Sequence, residues 1–72
     1  MRYRIYANKQ VWKQIDVKPT IEEALKILDN LIANGIEEYI VIESSLENGD
    51  VPIITNFKSY EKHKTKRLDL RV

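Results

Sequence analysis

The stretch "KRLDLRV", Lys66 to Val72, decides how the chain is assembled. Leu68, Leu70 and Val72 alternate with Arg67, Asp69 and Arg71, the period of a half-buried strand. Read so, it closes the order ββαβββ, with one helix packed on a mainly antiparallel or mixed sheet: a small α+β domain. Residues 1–72 then form a single domain. Upstream, "SYEKHKTK" (59–66) is a polar connection with room for one helical turn. Before it, 51–57 reads as a strand whose start Pro52 confines to an edge, and "LENGD" (46–50) is a turn built on Asn48-Gly49. "EYIVIES" (38–44) is another strand, with Ile40 and Ile42 on one face, taken as the core face, and Tyr39 and Val41 on the other.

The helix is the strongest signal. "TIEE" (20–23) is a capping box, with Thr20 as N-cap and Glu23 three residues on. Ile21, Ala24, Leu25, Leu28, Leu31 and Ile32 make one apolar stripe. Asn34-Gly35 ends it, with Ile36 placed to close a Schellman motif. The N-terminal hairpin, "MRYRIYANKQVWKQIDV" (1–17), is registered by its side chains. A three-residue turn at 8–10 puts Tyr6 opposite Trp12 and Arg2 opposite Asp16, whereas a two-residue turn sets Arg4 against Lys13. One face carries Tyr3, Ile5, Ala7, Val11, Ile15 and Val17, with Lys13 as the polar intruder. The other carries Arg2, Arg4, Tyr6, Trp12, Gln14 and Asp16. The expected core is Ile5, Ile15, Val17, Ile21, Leu25, Leu28, Leu31, Ile32, Ile40, Ile42, Leu68 and Leu70. No internal repeat stands out.

Taken together, "VKPTIEEALKIL", "NGI", "LENGD" and "KRLDLRV" resemble the layout of the ubiquitin-like β-grasp family. The resemblance implies first and last strands side by side and parallel at the sheet centre. Arg67 and Arg71 would then sit beside Arg2, Arg4 and Tyr6 on the open sheet face. The chain has no Gly-Gly tail after Val72, so conjugation to a target is not expected.

Composition limits the function. There is no cysteine and a single histidine in 72 residues, so no disulfide and no thiolate metal site is expected. No run of apolar residues is long enough to span a bilayer, and no signal-type segment opens the chain. A soluble, cytoplasmic protein with no membrane partner is the expectation. The net charge of +1 hides a segregation. Residues 1–19 hold five cations against one acid, 20–50 one cation against eight acids, and 51–72 six cations against two. If the two ends meet, one side is basic.

Catalytic signals are lacking. Ser44-Ser45 has no nucleophile-elbow glycines, His63 has no evident partner for acid–base work, and the carboxylates of 37–50 do not match a calcium loop. Both glycines serve Asn-Gly turns, so no phosphate-cradling loop exists. An enzyme is not expected, nor a cofactor or a small-molecule substrate. The candidate surface is Arg2, Arg4, Tyr6, Trp12, Arg67 and Arg71. Trp, Tyr and Arg are the residues favoured at protein interfaces, which points to a partner protein or to self-association as a homodimer. Small site-free chains of this kind include adaptors and inhibitors, some of them phage or mobile-element encoded. The alternative is nucleic-acid binding, with Tyr6 and Trp12 stacking bases and the arginines on phosphates. The plainer reading is a solvated sheet face. The feature set to discriminate is an apolar patch continuing from Trp12 and Tyr6 onto the third strand, at Val41 or Tyr39, against one continuous positive surface.

Overall fold

The computed structural model describes the backbone of residues 1–70 and the side chains of residues 1–66. The elements run β1 (Arg2–Asn8), β2 (Trp12–Lys18), α1 (Ile21–Ala33), β3 (Tyr39–Ser45), β4 (Gly49–Ile54) and α2 (Phe57–Leu70). The four strands form one open antiparallel sheet in the order β2-β1-β3-β4. The C-terminal segment is therefore helical where a strand was expected, and the order is ββαββα with two helices. Strand β1 lies between β2 and β3, antiparallel to both, so the parallel central pair implied by the β-grasp resemblance does not form. Leu68 and Leu70 sit on helical backbone, their side chains outside the described residues, as is all of Arg71 and Val72.

The local chemistry of α2 explains the difference. Asn56 accepts a hydrogen bond from the Ser59 amide at 2.8 Å, and the Ser59 hydroxyl donates to the Asn56 carbonyl at 2.9 Å. Ser59 Oγ also accepts from the amides of Thr55 and Asn56 at 3.0 and 3.2 Å. Four polar groups at the helix start are thus satisfied locally, and the helix begins at Phe57. Helix α1 starts as expected, Thr20 Oγ1 accepting from the Glu23 amide at 3.3 Å. Its far end is a Schellman motif: the Ile36 amide bonds the Leu31 carbonyl and the Gly35 amide bonds the Ile32 carbonyl, both at 3.0 Å. Gly35 has φ +86°, a conformation natural to glycine.

The chain consists of two successive ββα units. The second helix follows the first by 36 positions (57 − 21). At that spacing cap Thr20 corresponds to Asn56, and buried Tyr3 and Ile5 to buried Tyr39 and Val41. The ladder irregularities also correspond, falling between Ile5 and Tyr6 in one hairpin and between Val41 and Ile42 in the other. The strand order is unchanged when the units are exchanged, and Ile5 pairs directly with Val41 at the centre. An approximate two-fold axis therefore passes through that pair. No repeat was evident in the sequence because the two helices differ so much: Leu25 and Leu28 correspond to Glu61 and Lys64.

Both helices lie on one face of the sheet, over a core of Tyr3, Ile5, Ala7, Ala24, Leu25, Leu28, Leu31, Tyr39, Val41, Ile54 and Tyr60. Ile15, Ile21, Ile32 and Ile36 pack half-buried around it. Tyr60 anchors α2: its ring meets Tyr39 edge-on at 6.4 Å, and its hydroxyl donates to the Asp29 carboxylate of α1. Lys64 reaches the same carboxylate at 2.9 Å. Two strand faces differ from expectation. Tyr39 and Val41 enter the core, leaving Ile40 and Ile42 on the open face. In β2 the irregularity beside Ile5 inserts Ile15 as an extra residue. That reverses the strand's sidedness: Asp16 pairs with Ile5 and Val17 with Arg4, so Val17 faces outward. No helix among the described residues is long and apolar enough to cross a membrane.

Candidate interaction face

The sheet face opposite the helices is uncovered. Alternation from the buried residues Tyr3, Ile5 and Ala7 places Arg2, Arg4, Tyr6 and Asn8 of β1 on it. The register then adds Trp12, Gln14 and Val17 from β2, and Ile40, Ile42 and Ser44 from β3. From β4 it adds Asp50 and Pro52. The loop between β1 and β2 has three residues, as expected, but spans Lys9–Val11. Tyr6 therefore lies opposite Gln14 and Trp12 opposite Asn8. The two aromatic rings share the face as diagonal neighbours rather than as a direct pair, and Arg2 is set against Ser44 rather than Asp16.

The face has a clear internal organisation. Its middle rows read Gln14–Tyr6–Ile40 and Val17–Arg4–Ile42–Pro52, so Arg4 stands among the apolar residues. Trp12 stands at one end, 48% exposed. Arg2 and Asp50 stand at the other, and Arg4, one row in, makes a loose ion pair with Asp50 at 3.8 Å, the two side chains being 35% and 57% exposed. At that exposure the pair adds ~0–1 kcal/mol to stability. Ser44 Oγ, between them, is out of water and has no hydrogen-bond partner among the described residues. The face thus mixes aliphatic, aromatic and charged side chains, Arg4 lying between Val17 and Ile42.

The expected site residues divide accordingly. Arg2, Arg4, Tyr6 and Trp12 are brought together on this face. Arg67 lies on the helical backbone of α2 rather than on a strand beside β1, and its side chain is outside the described residues. Arg71 lies outside the described residues. Among the described residues the acidic middle of the chain pairs with both basic ends, Asp50 with Arg4 and Asp29 with Lys64. Lys13, the intruder on the inner face, is exposed because β2 is an edge strand. The apolar patch does continue from Tyr6 and Trp12 onto the third strand, but through Ile40 and Ile42. Sequence reasoning missed those two, Val17 and Pro52. The signal for the first two was there: "YIVI" (39–42) is apolar at four consecutive positions, the mark of a strand with apolar residues on both faces.

Elsewhere the described residues form open clefts, one of about 750 Å³ along α2 lined by Lys58, Glu61, Lys62, Thr65 and Lys66. A shallow cleft of about 320 Å³ between the end of α1 and the start of α2 is lined by Ile32, Gly35, Ile36, Glu37, Tyr39 and Phe57. It has one carboxylate and no converging polar groups. No group of three or more potential metal-ligating side chains occurs among the described residues. The perturbed titrations belong to the helix clip. Burial, then the hydrogen bond to Asp29, raises the Tyr60 hydroxyl above its ordinary value, and the bond to Asp29 raises Lys64. Burial, with Glu61 nearby, raises Tyr39. Tyr60 and Lys64 join α2 to α1 through Asp29, and Tyr39 of β3 lies against the Tyr60 ring. The class defined by fold and face is thus a two-layer α+β domain with an open, partly apolar sheet. No protein family, curated protein or solved structure matches the chain.

Proposed function

We propose that this chain is a small, non-enzymatic interaction module that works by setting its open sheet face against another protein surface. The supporting observation is the run Tyr6, Ile40, Ile42 and Pro52 across three adjacent strands, with Trp12 exposed at one end of the face and Arg2 at the other. Four strands spaced ~4.8 Å apart, and about five exposed rungs of ~3.3 Å, give a face of roughly 320 Å², polar residues included. Contiguous exposed apolar residues rimmed by polar ones commonly mark contact sites. Nucleic acid is the less favoured ligand. Only Arg2 and Arg4 supply cations among the described residues of the face, Asp50 opposes them, and aliphatic Ile40 and Ile42 take the places where stacking rings are wanted.

A photo-reactive phenylalanine analogue at position 6, with Glu22 on the wet side of α1 as the control position, tests the reading in cells making the protein. Protein adducts from position 6 and none from position 22 are expected. Adducts to RNA or DNA would transfer the face to the rival ligand, and no adduct at all would leave it a solvated surface. The variant Trp12→Ala should fold with stability within ~0.5 kcal/mol of the parent yet lose most of the adduct.

A further inference from the structure

We infer that Asn48 is a site of spontaneous covalent modification, losing ammonia to become an aspartyl or isoaspartyl residue, and that the fold withholds the same reaction from Asn34. The inference is independent of the sheet-face reading. The chain has two Asn-Gly pairs, Asn34-Gly35 and Asn48-Gly49. Such a pair is reactive because glycine has no side chain to shield its amide nitrogen or to restrict its backbone. A base takes the proton from the glycine amide, and the nitrogen's electron pair attacks the asparagine Cγ. The new N–Cγ bond closes a five-membered succinimide. The Cγ–Nδ2 bond breaks, and the side-chain nitrogen takes up a proton and leaves as ammonia. Water then adds to one ring carbonyl and opens the ring. Addition at Cγ leaves aspartate. Addition at the main-chain carbonyl carbon leaves isoaspartate, with the chain routed through the side chain. One water is consumed and one ammonia released, and nothing is oxidised or reduced.

Exposure does not separate the two pairs, since both asparagines are exposed. Hydrogen bonding does. At the end of α1 both reacting groups are held. Asn34 Nδ2 donates to the Asn30 carbonyl at 2.7 Å. The Gly35 amide donates to the Ile32 carbonyl at 3.0 Å, within the Schellman motif. Asn34 itself has φ −92° and ψ 11°, which turns the Gly35 amide back toward the helix. Attack at Asn34 requires both bonds to open, and each bond opened lowers the reactive population roughly two- to tenfold. In the β3–β4 turn the Asn48 backbone amide donates to Ser45 Oγ at 3.0 Å, but its carboxamide has no partner among the described residues. Leu46 in the same turn stands wholly in water. Gly49 has φ +69° and open space on its side-chain side. It pairs with Ser45 at the last rung of the ladder, on an edge strand, where local opening is easiest. The product sets a new carboxylate beside Glu47 and near Asp50, and takes the net charge of the chain from +1 to zero.

The test is incubation of the folded chain at mildly alkaline pH, followed by isoelectric focusing and by peptide mapping with mass spectrometry. A more acidic band should grow, with the amide-to-acid change located at position 48 and formed about tenfold or more faster than any at position 34. An isoaspartyl-specific methyltransferase should label the same peptide. In urea strong enough to unfold the chain the two sites should convert at similar rates, because the cap that protects Asn34 is gone. Asn48→Gln, whose longer side chain would have to close a six-membered ring, should keep the circular-dichroism spectrum and remove the acidic band. Equal rates at the two sites in the folded chain overturn the inference. So does an Asn48 that stays intact in the folded chain while converting in urea, or an acidic band that persists in Asn48→Gln.

Discussion

Gln10, at the tip of the first hairpin, has φ +118°, a region that side chains other than glycine rarely adopt. The loop is held there by an Asx-type bond, the Gln10 amide donating to Asn8 Oδ1 at 3.1 Å, while Asn8 Nδ2 donates to Glu38 at 3.0 Å. The strain is local and the side chain is exposed, so its removal should show directly in stability. Gln10→Gly is expected to gain ~0.5–1 kcal/mol, the steric relief exceeding glycine's extra unfolded-chain entropy. Differential scanning calorimetry would then show a midpoint about 2–8 °C higher. In the core, Leu28 is fully buried between α1 and the sheet. Leu28→Ala should cost ~2–5 kcal/mol, a large share of the ~4–11 kcal/mol expected for a domain of this length. Urea titration would show the midpoint collapsing toward zero denaturant.

At the scale of elements, legibility in the sequence followed how much of each element's structure was written locally. Helix α1 carries its stripe, its cap and its Schellman stop within its own residues, and its features were readable in full. The inner face of β1 was readable for the same reason. Strand β2 was not, because one extra residue at Ile15 exchanges Asp16 and Val17 between faces, and only the partner strand reveals it. Helix α2 was misread because "KRLDLRV" alternates over its last residues, while its start signal, Asn56 followed by Ser59, was passed over. Over its described side chains, 57–66, this helix is mostly polar and Tyr60 is the one that is buried. Its amides from 61 to 66 should exchange with solvent well ahead of those of α1, through opening of α2 without global unfolding. Equal protection in the two helices would contradict this. The clip also sets a pH dependence. Tyr60, Lys64 and Tyr39 all have folded values above the ordinary 10.0, 10.5 and 10.0. In each case the folded chain holds a proton that the unfolded chain releases. Their contribution is therefore fully present below about pH 10 and is lost as pH rises through the raised values. Urea midpoints should fall in that alkaline window for the parent, and fall less for Tyr60→Phe, which is the weaker protein at neutral pH by ~1 kcal/mol.

For the molecule as a whole, the two ββα units are unequal partners in one core. Among the described side chains, seven of the eleven buried apolar residues, from Tyr3 to Leu31, come from the first unit and four, from Tyr39 to Tyr60, from the second. What joins them is the β1–β3 ladder from Arg2–Ser44 to Ala7–Tyr39, together with Asp29 reaching Tyr60 and Lys64 across the helix layer. Neither unit can close a core without the other, since a chain under ~40 residues without disulfide or metal seldom buries enough surface to fold. The first unit alone would expose Ile5 along the β3 side of its hairpin, and the second would leave Val41 and Ile54 under a helix with one deep anchor. Peptides 1–36 and 37–72 should each be disordered by far-ultraviolet circular dichroism, although the first contains nearly all of the strong helix signal. An equimolar mixture should recover helix and sheet in a concentration-dependent manner, because the ladder and the core both form only across the junction. Stable structure in peptide 1–36 alone would show that the first unit is a domain in its own right. Failure of the mixture to fold would show that the covalent link between Ile36 and Glu37 supplies more than proximity, since closing so short a connection contributes little beyond effective concentration.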